Sequence, residues 1–346
     1  MRALAITCVK NEGAFLLDWL AHHRACGFDD FLVFSNDCDD GTDAMLDRLQ
    51  AMGWLTHVPN PGPHPRGPQW EALALADRHA LRAAADWVMV LDVDEYVNIH
   101  LGARRLPDLL QALPDADAIA MTWRFFGNDG VVAYADRPVV QQFLRAAPSR
   151  LAWPWRASMI KTLFRNDGCY RKLGVHRPRD PDPARLAGLR WVDGSGRALP
   201  PAFATQRLFT DPGADCHAMV QLNHYALGAM ESFVVKCDRG RANRSAGDFD
   251  MGYWIDRNFC AVEDRSVLGL DSAGLRAELA GDARLAALHA QAVAWRQARF
   301  AALMQQEAWR AFFGRLLLAP PSRVLDPGLV ARLLHPARIS SPDAQQ

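Results

Sequence analysis

Three segments of this chain, Ala3–Val9, Phe31–Phe34 and Trp87–Leu91, are apolar at nearly every position rather than at every second one. Successive side chains of a strand point to opposite faces, so such segments must be covered on both sides. A parallel sheet sandwiched between helices meets that demand, and a sheet with one wet face does not. The intervening sequence supplies the helices. Phe15, Leu16, Trp19, Leu20 and His23 recur at helical spacing before Gly27, and Met45, Leu46, Leu49 and Met52 do so before Gly53. Thr42 stands where it would cap the second helix, Trp54–Val58 reads as a further strand, and Gln69–Ala85 as an Ala/Leu-rich helix. The expected fold is α/β, a doubly wound and mostly parallel sheet with helices on both faces.

The strand exits are polar: Lys10-Asn11-Glu12, Ser35–Asp40, and Asp92-Val93-Asp94-Glu95. Doubly wound sheets bind ligands beyond the carboxyl ends of their strands, so these clusters mark the expected site. Asp92 and Asp94, two positions apart, would share one face of a regular strand, and the polar run that Asp92 opens ends the apolar strand, so the chain turns there. After a turn, both carboxylates can approach one hard divalent cation. The alternative is a solvated strand end. The loop around Gly41 superficially resembles a calcium loop, but the first, third and twelfth positions fall on Asn36, Cys38 and Asp47, so two key ligands are wrong. Walker and dinucleotide glycine signatures are absent, so a bound diphosphate would need a metal and Arg or Lys to neutralise it.

The second half of the chain differs. Ala118–Trp123 reads as another strand, His176–Pro212 as long loops with a hairpin around Asp193–Gly196, and Ala273–Leu318 as helical. A second polar cluster joins Asn223-His224-Tyr225 to Lys236 and Arg239-Gly240. The expected organisation is a ligand-binding half over 1–125 and a site-completing half of the same domain over 126–270, then a helical C-terminal extension over 271–334 and a tail over 335–346. The stripe Leu285, Leu288, Ala292 and Trp295, with Arg296 and Arg299 beside it, fits core packing, dimerisation or contact with a membrane surface.

Composition narrows the partners. Thirty-nine Lys and Arg balance 39 Asp and Glu, which argues against a nucleic-acid binder working by bulk charge. Seven cysteines with no C-x-x-C pair suit reduced thiols and a cytoplasmic protein, and no apolar run is long enough to span a bilayer.

Taken in order, Cys8–Glu12, Phe34–Thr42, Leu91–Glu95 and Asn223–Tyr225 with Lys236 and Arg239-Gly240 resemble bacterial family-2-like glycosyltransferases of the GT-A fold. They are similar also to the family 92 enzymes. The resemblance covers roughly residues 3 to 240 and implies a nucleotide-sugar donor, taken as a uridine diphosphate sugar, and a saccharide or glycoconjugate acceptor. It implies Mn²⁺ or Mg²⁺ held by Asp94, Asp92 and His224. Asn11, Glu12, Gln69, Arg78 and Asp92 would line the nucleotide. Asn36 falls where family-2 enzymes carry an Asp that reads the base, with Asp37 as its substitute. Lys236 or Arg239 would stabilise the leaving diphosphate, and His176, in Leu173-Gly174-Val175-His176, is the candidate base of an inverting reaction, with a metal ligand or a structural residue as the alternatives. Surface polysaccharide synthesis, at or near the inner membrane, is the expected setting. The rival functions are a haloacid-dehalogenase-type phosphohydrolase, which also places D-x-D after a buried strand, and a non-catalytic sugar- or nucleotide-binding module.

Overall fold

A computed structural model describes residues 1–239 and 250–334. The expected tail at 335–346, and Gly240, lie outside the described residues. The principal sheet contains β1 (Ala3–Val9), β2 (Asp30–Ser35), β3 (Thr56–Pro59), β4 (Trp87–Val90), β5 (Glu95–Ile99), β6 (Ala118–Phe125), β7 (Ile160–Arg165), β8 (Trp191–Asp193) and β9 (Val220–His224). Its order is β3-β2-β1-β4-β7-β6-β9-β5, with β8 also on β6. Strands β1 to β4 pair in parallel, as β6 does with β8 and β9. β7 runs antiparallel to β4 and β6, and β5 antiparallel to β9.

The reason for the continuously apolar strands is visible in their alternation. Ala3, Ala5, Phe31, Val33, Trp87 and Met89 enter one core, which holds α1 (Gly13–Cys26) and α2 (Thr42–Ala51). Leu4, Ile6, Leu32, Phe34, Val88 and Val90 enter a second core on the opposite face, under α3 (Pro68–Ala76). The chain winds outward through β1, β2 and β3 and then returns to place β4 on the other side of β1. That reversal opens a crevice above β1 and β4, where both motif clusters emerge.

Two local expectations are corrected. Thr42 does not cap α2. Asp40 does the work, with Oδ1 accepting from Thr42 N at 2.9 Å and Oδ2 accepting from Gly13 N at 3.0 Å, so one carboxylate serves the N-termini of two helices. The helix expected over Gln69–Ala85 is broken into Pro68–Ala76 and Ala80–Ala84. Tertiary bonds override its helical composition. Asp77 accepts from Leu173 N and Arg82, and His79 Nδ1 accepts from Leu81 N to begin the second piece. The hairpin near Asp193 is present, closed by Gly196 N donating to the Asp193 carbonyl.

The C-terminal helices are α4 (Met230–Arg239), α5 (Ala273–Gly281), α6 (Ala283–Leu303), α7 (Glu307–Leu318) and α8 (Pro327–Leu334). The stripe on α6 faces inward: Leu285 and Ala292 are fully buried, with Leu288 and Trp295 packed beside them. Arg296 is not turned to a membrane. It is buried over the Phe15 ring and donates to the Asn11 carbonyl, while Arg299 pairs with Asp238. Among the described residues, no helix is long and apolar enough to cross a membrane. Because α6 closes the core over α1 and α2, Leu285→Ala is expected to lower stability by about 2–5 kcal/mol in urea denaturation, within one cooperative transition. A loss of less than about 0.5 kcal/mol would mean that this helix is not part of the core.

Candidate active site

The crevice is a cleft of about 430 Å³ lined by the strand-end residues and by side chains from β6, β9, α4 and the segment before β7. Its floor is the turn from Leu91 to Asp94 that carries the chain from β4 to β5. Trp19 Nε1 donates to the carbonyls of both Asp92 and Glu95, at 3.1 and 3.0 Å, which clamps the turn from below. Lys161, at the start of β7 and fully buried, holds it from the side. Its Nζ lies 2.9 Å from Asp92 Oδ2 and 3.2 Å from Glu95 Oε2. Glu95 is fully buried and also accepts from Asp92 N at 2.9 Å and Trp123 Nε1 at 2.6 Å. Burial pushes its carboxyl up to about 8. Lys161 opposes that push, as does a set of partners made up entirely of N–H donors.

Asp94 sits deeper, with Oδ2 2.7 Å from Lys236 Nζ and 3.6 Å from His224 Nε2. Burial alone would raise its pKa. The charges of Lys236 and then His224 outweigh burial and hold the carboxyl well below the usual range. Burial lowers His224, against the pull of Asp94. Glu12 is bound by Arg239 at 2.5 Å. Gln69 Nε2 reaches Asp92 Oδ1 at 3.3 Å. His176 also lines the cleft, edge-on to Trp123, and burial followed by the Lys161 charge moves it down to about 4. Its Nδ1 lies 3.0 Å from the Ile160 carbonyl, which fixes the tautomer with the lone pair on Nε2.

The structure thus brings together Glu12, Gln69, Asp92, Asp94, His176, His224, Lys236 and Arg239. Four expected residues do not line the cleft. Asn11, at φ 54°, is spent on Asp39 N, and its carbonyl receives Arg239 and Arg296. Asn36 is 2% exposed, donating to Cys8 Sγ and accepting from Asn60. Asp37 is exposed beside Gly62, and Arg78 is exposed at the break between the two short helices.

A cation shared by Asp92, Asp94 and His224 is not the arrangement observed. Among the described residues no group of three His, Cys, Asp or Glu side chains converges to hold an ion. Asp92 is engaged by Lys161, which leaves Asp94 and His224, 3.6 Å apart, as a two-ligand set. Such a set suits Mg²⁺ or Mn²⁺, which complete their shells with substrate phosphates and water. Lys236 would have to give up Asp94 Oδ2 to such an ion.

Residues 5–182, just over half of the 346-residue chain, match the sequence model of glycosyltransferase family 92. The chain belongs to that family. Two family 92 proteins are similar: one from Oryza sativa subsp. japonica, 24% identical over 106 residues, and one from Ricinus communis, 28% identical over 101. The matches cover 30% and 28% of this chain but only 17% of each relative. Among solved structures, S. aureus TarS 1–349 in complex with UDP superposes at TM-score 0.31 and 13% identity, over 48% of this chain and 47% of that one. HddC from Yersinia pseudotuberculosis does so at TM-score 0.29 and 10% identity, over 51% and 84%.

Sequence reasoning passed over Lys161, Glu95, Arg156 and Arg257 as site residues of this family 92 chain. One signal was available. The chain has only four lysines, Lys10, Lys161, Lys172 and Lys236, and three of them stand in or directly beneath the cleft. Lys161→Met strands two carboxylates against each other. It is expected to cost about 3–5 kcal/mol of stability in denaturant titration, and a loss under about 1 kcal/mol would show that the turn is held by other contacts.

Proposed function

We propose that this chain transfers a sugar from a nucleoside diphosphate donor, a uridine diphosphate sugar, to a hydroxyl of a saccharide or glycoconjugate with inversion. One observation carries the reading. Each carboxylate lining the cleft already has a cation of its own: Glu12 has Arg239, Asp92 has Lys161 and Asp94 has Lys236. Lys10, Arg156 and Arg257 line the same cleft and form no ion pair among the described residues. The surplus is positive and sits beyond the strand ends, the place and the charge that a diphosphate needs.

The transfer forms a bond from the acceptor hydroxyl oxygen to the anomeric carbon. It breaks the bond from that carbon to the diphosphate, whose oxygen keeps the electron pair. The hydroxyl proton goes to His176 Nε2, which is free of a proton at neutral pH and faces the cleft wall shared with Trp123. A low basicity is a handicap for this role, offset as positive charge develops on the sugar and the hydroxyl acidifies. Asp94 and His224 would hold a Mn²⁺ or Mg²⁺ ion, which supplies positive charge to the phosphates when bound. The half-exposed Trp155 offers a flat apolar face to a sugar ring. The phosphohydrolase alternative draws no support from a chain of glycosyltransferase family 92.

A thermal-shift titration tests the reading. UDP with Mn²⁺ is expected to stabilise the protein, by about 2.7 kcal/mol at a hundredfold excess over Kd, and UDP with chelator far less. An equal shift in chelator would count against the ion, and no shift in either condition would count against the donor.

A further inference from the structure

The sequence assigns the departing diphosphate to Lys236 and Arg239, and in the structure both are already engaged. Lys236 Nζ donates to Asp94 Oδ2 and to the Ala226 carbonyl, each at 2.7 Å. Arg239 pairs with Glu12 and donates to the carbonyls of Lys10 and Asn11. Arg257 is in a different condition. It is only 5% exposed, lines the same cleft, and forms no ion pair among the described residues. Nη1 makes a long 3.3 Å hydrogen bond to the Tyr253 carbonyl, and Nε is buried with no acceptor. A buried guanidinium without a counter-charge is costly, and a fold keeps one where an anion is to arrive.

Its setting fixes both direction and rigidity. The guanidinium lies 3.7 Å from the centroid of the Tyr253 ring and 5.6 Å from that of Phe125, so its planar fork is set before any ligand binds. Phe125 also contacts the His224 ring, at 5.8 Å, and His224 Nε2 is the atom 3.6 Å from Asp94. Arg257 therefore stands on the wall that carries the Asp94–His224 pair.

We infer that Arg257 is the phosphate-binding residue for the donor's terminal phosphate, an assignment that rests on the donor reading above. When the bond from the anomeric carbon to that phosphate breaks, the electron pair stays on the phosphate oxygen. A cation that no carboxylate among the described residues competes for meets the growing charge more strongly in the transition state than in the ground state. Arg239 then positions Glu12, and Lys236 holds Asp94 until a divalent ion takes its Oδ2.

The test is calorimetric titration of the full chain and its Arg257→Gln and Arg257→Lys variants with UDP, uridine and inorganic pyrophosphate in Mn²⁺, with a thermal melt to establish folding. Arg257→Gln is expected to lose about 10–100-fold in affinity for UDP and pyrophosphate while uridine binding stays within about twofold. Arg257→Lys, which keeps the charge and loses the fork, should fall between and covers the case of a glutamine variant that does not fold. Undiminished UDP affinity in a folded variant overturns the assignment. A wild-type protein that binds pyrophosphate but not UDP refutes the choice of base alone, and pyrophosphate then decides for Arg257. One that binds neither refutes the donor reading, and this assignment falls with it.

Discussion

The buried ammonium of Lys161 is the contact on which the architecture of the site depends. It is wholly excluded from solvent and touches both Asp92 and Glu95. Two carboxylates three residues apart in a tight turn repel each other when both are ionised, and the complete burial of Glu95 beside the part-exposed Asp92 leaves water little able to screen them. Lys161 neutralises them from β7, the one antiparallel strand inserted between β4 and β6. With that charge in place, the chain can leave β4, cross above the sheet and begin β5 on its far side. The crossing puts Asp94 against His224 and Lys236, so this lateral step and the acidic motif are the same feature.

Much of the scaffold was legible because it follows from periodicity. β1 occupies Ala3–Val9 and α1 ends at Gly27, whose φ of 103° suits the left-handed turn that closes the helix. Asp92 and Asp94 were legible from their place after an apolar strand. The failures share a cause, which is that bonds between distant segments leave no local pattern. Asn36 looked like a base-reading residue, but Asn60, 24 positions on, takes its carbonyl oxygen, and Cys8 receives its amide. Asp77 breaks a helix through its bond to Leu173, 96 positions away. Lys161 and Arg257 belong to no motif. Burial and the partners of each distinguish them, and neither property is written in the neighbouring residues.

The cleft's charges are arranged in two tiers. One consists of carboxylates with cations already bound, and it keeps the acidic turn stable before ligand arrives. The other, Lys10, Arg156 and Arg257, forms no ion pair among the described residues and supplies attraction. In such a cleft a polyanion binds without first breaking every internal ion pair, and only Asp94 has to change partner if a divalent ion enters with it. Glycosyl transfer needs this division, because the charge to be stabilised appears on the leaving group as the bond breaks and the groups that meet it must be in place beforehand.

The claim on which this account stands is that the diphosphate lies above the ends of β1 and β4, between the Asp92–Asp94 turn and Arg257. A crystal structure of the protein grown with UDP and Mn²⁺ tests it most directly. The account predicts phosphate oxygens within about 3 Å of the Arg257 guanidinium, with Lys236 withdrawn from Asp94 and Lys161 still on Asp92. UDP ordered elsewhere on the molecule, with the Asp94–Lys236 pair closed and Arg257 touching no ligand, would contradict it.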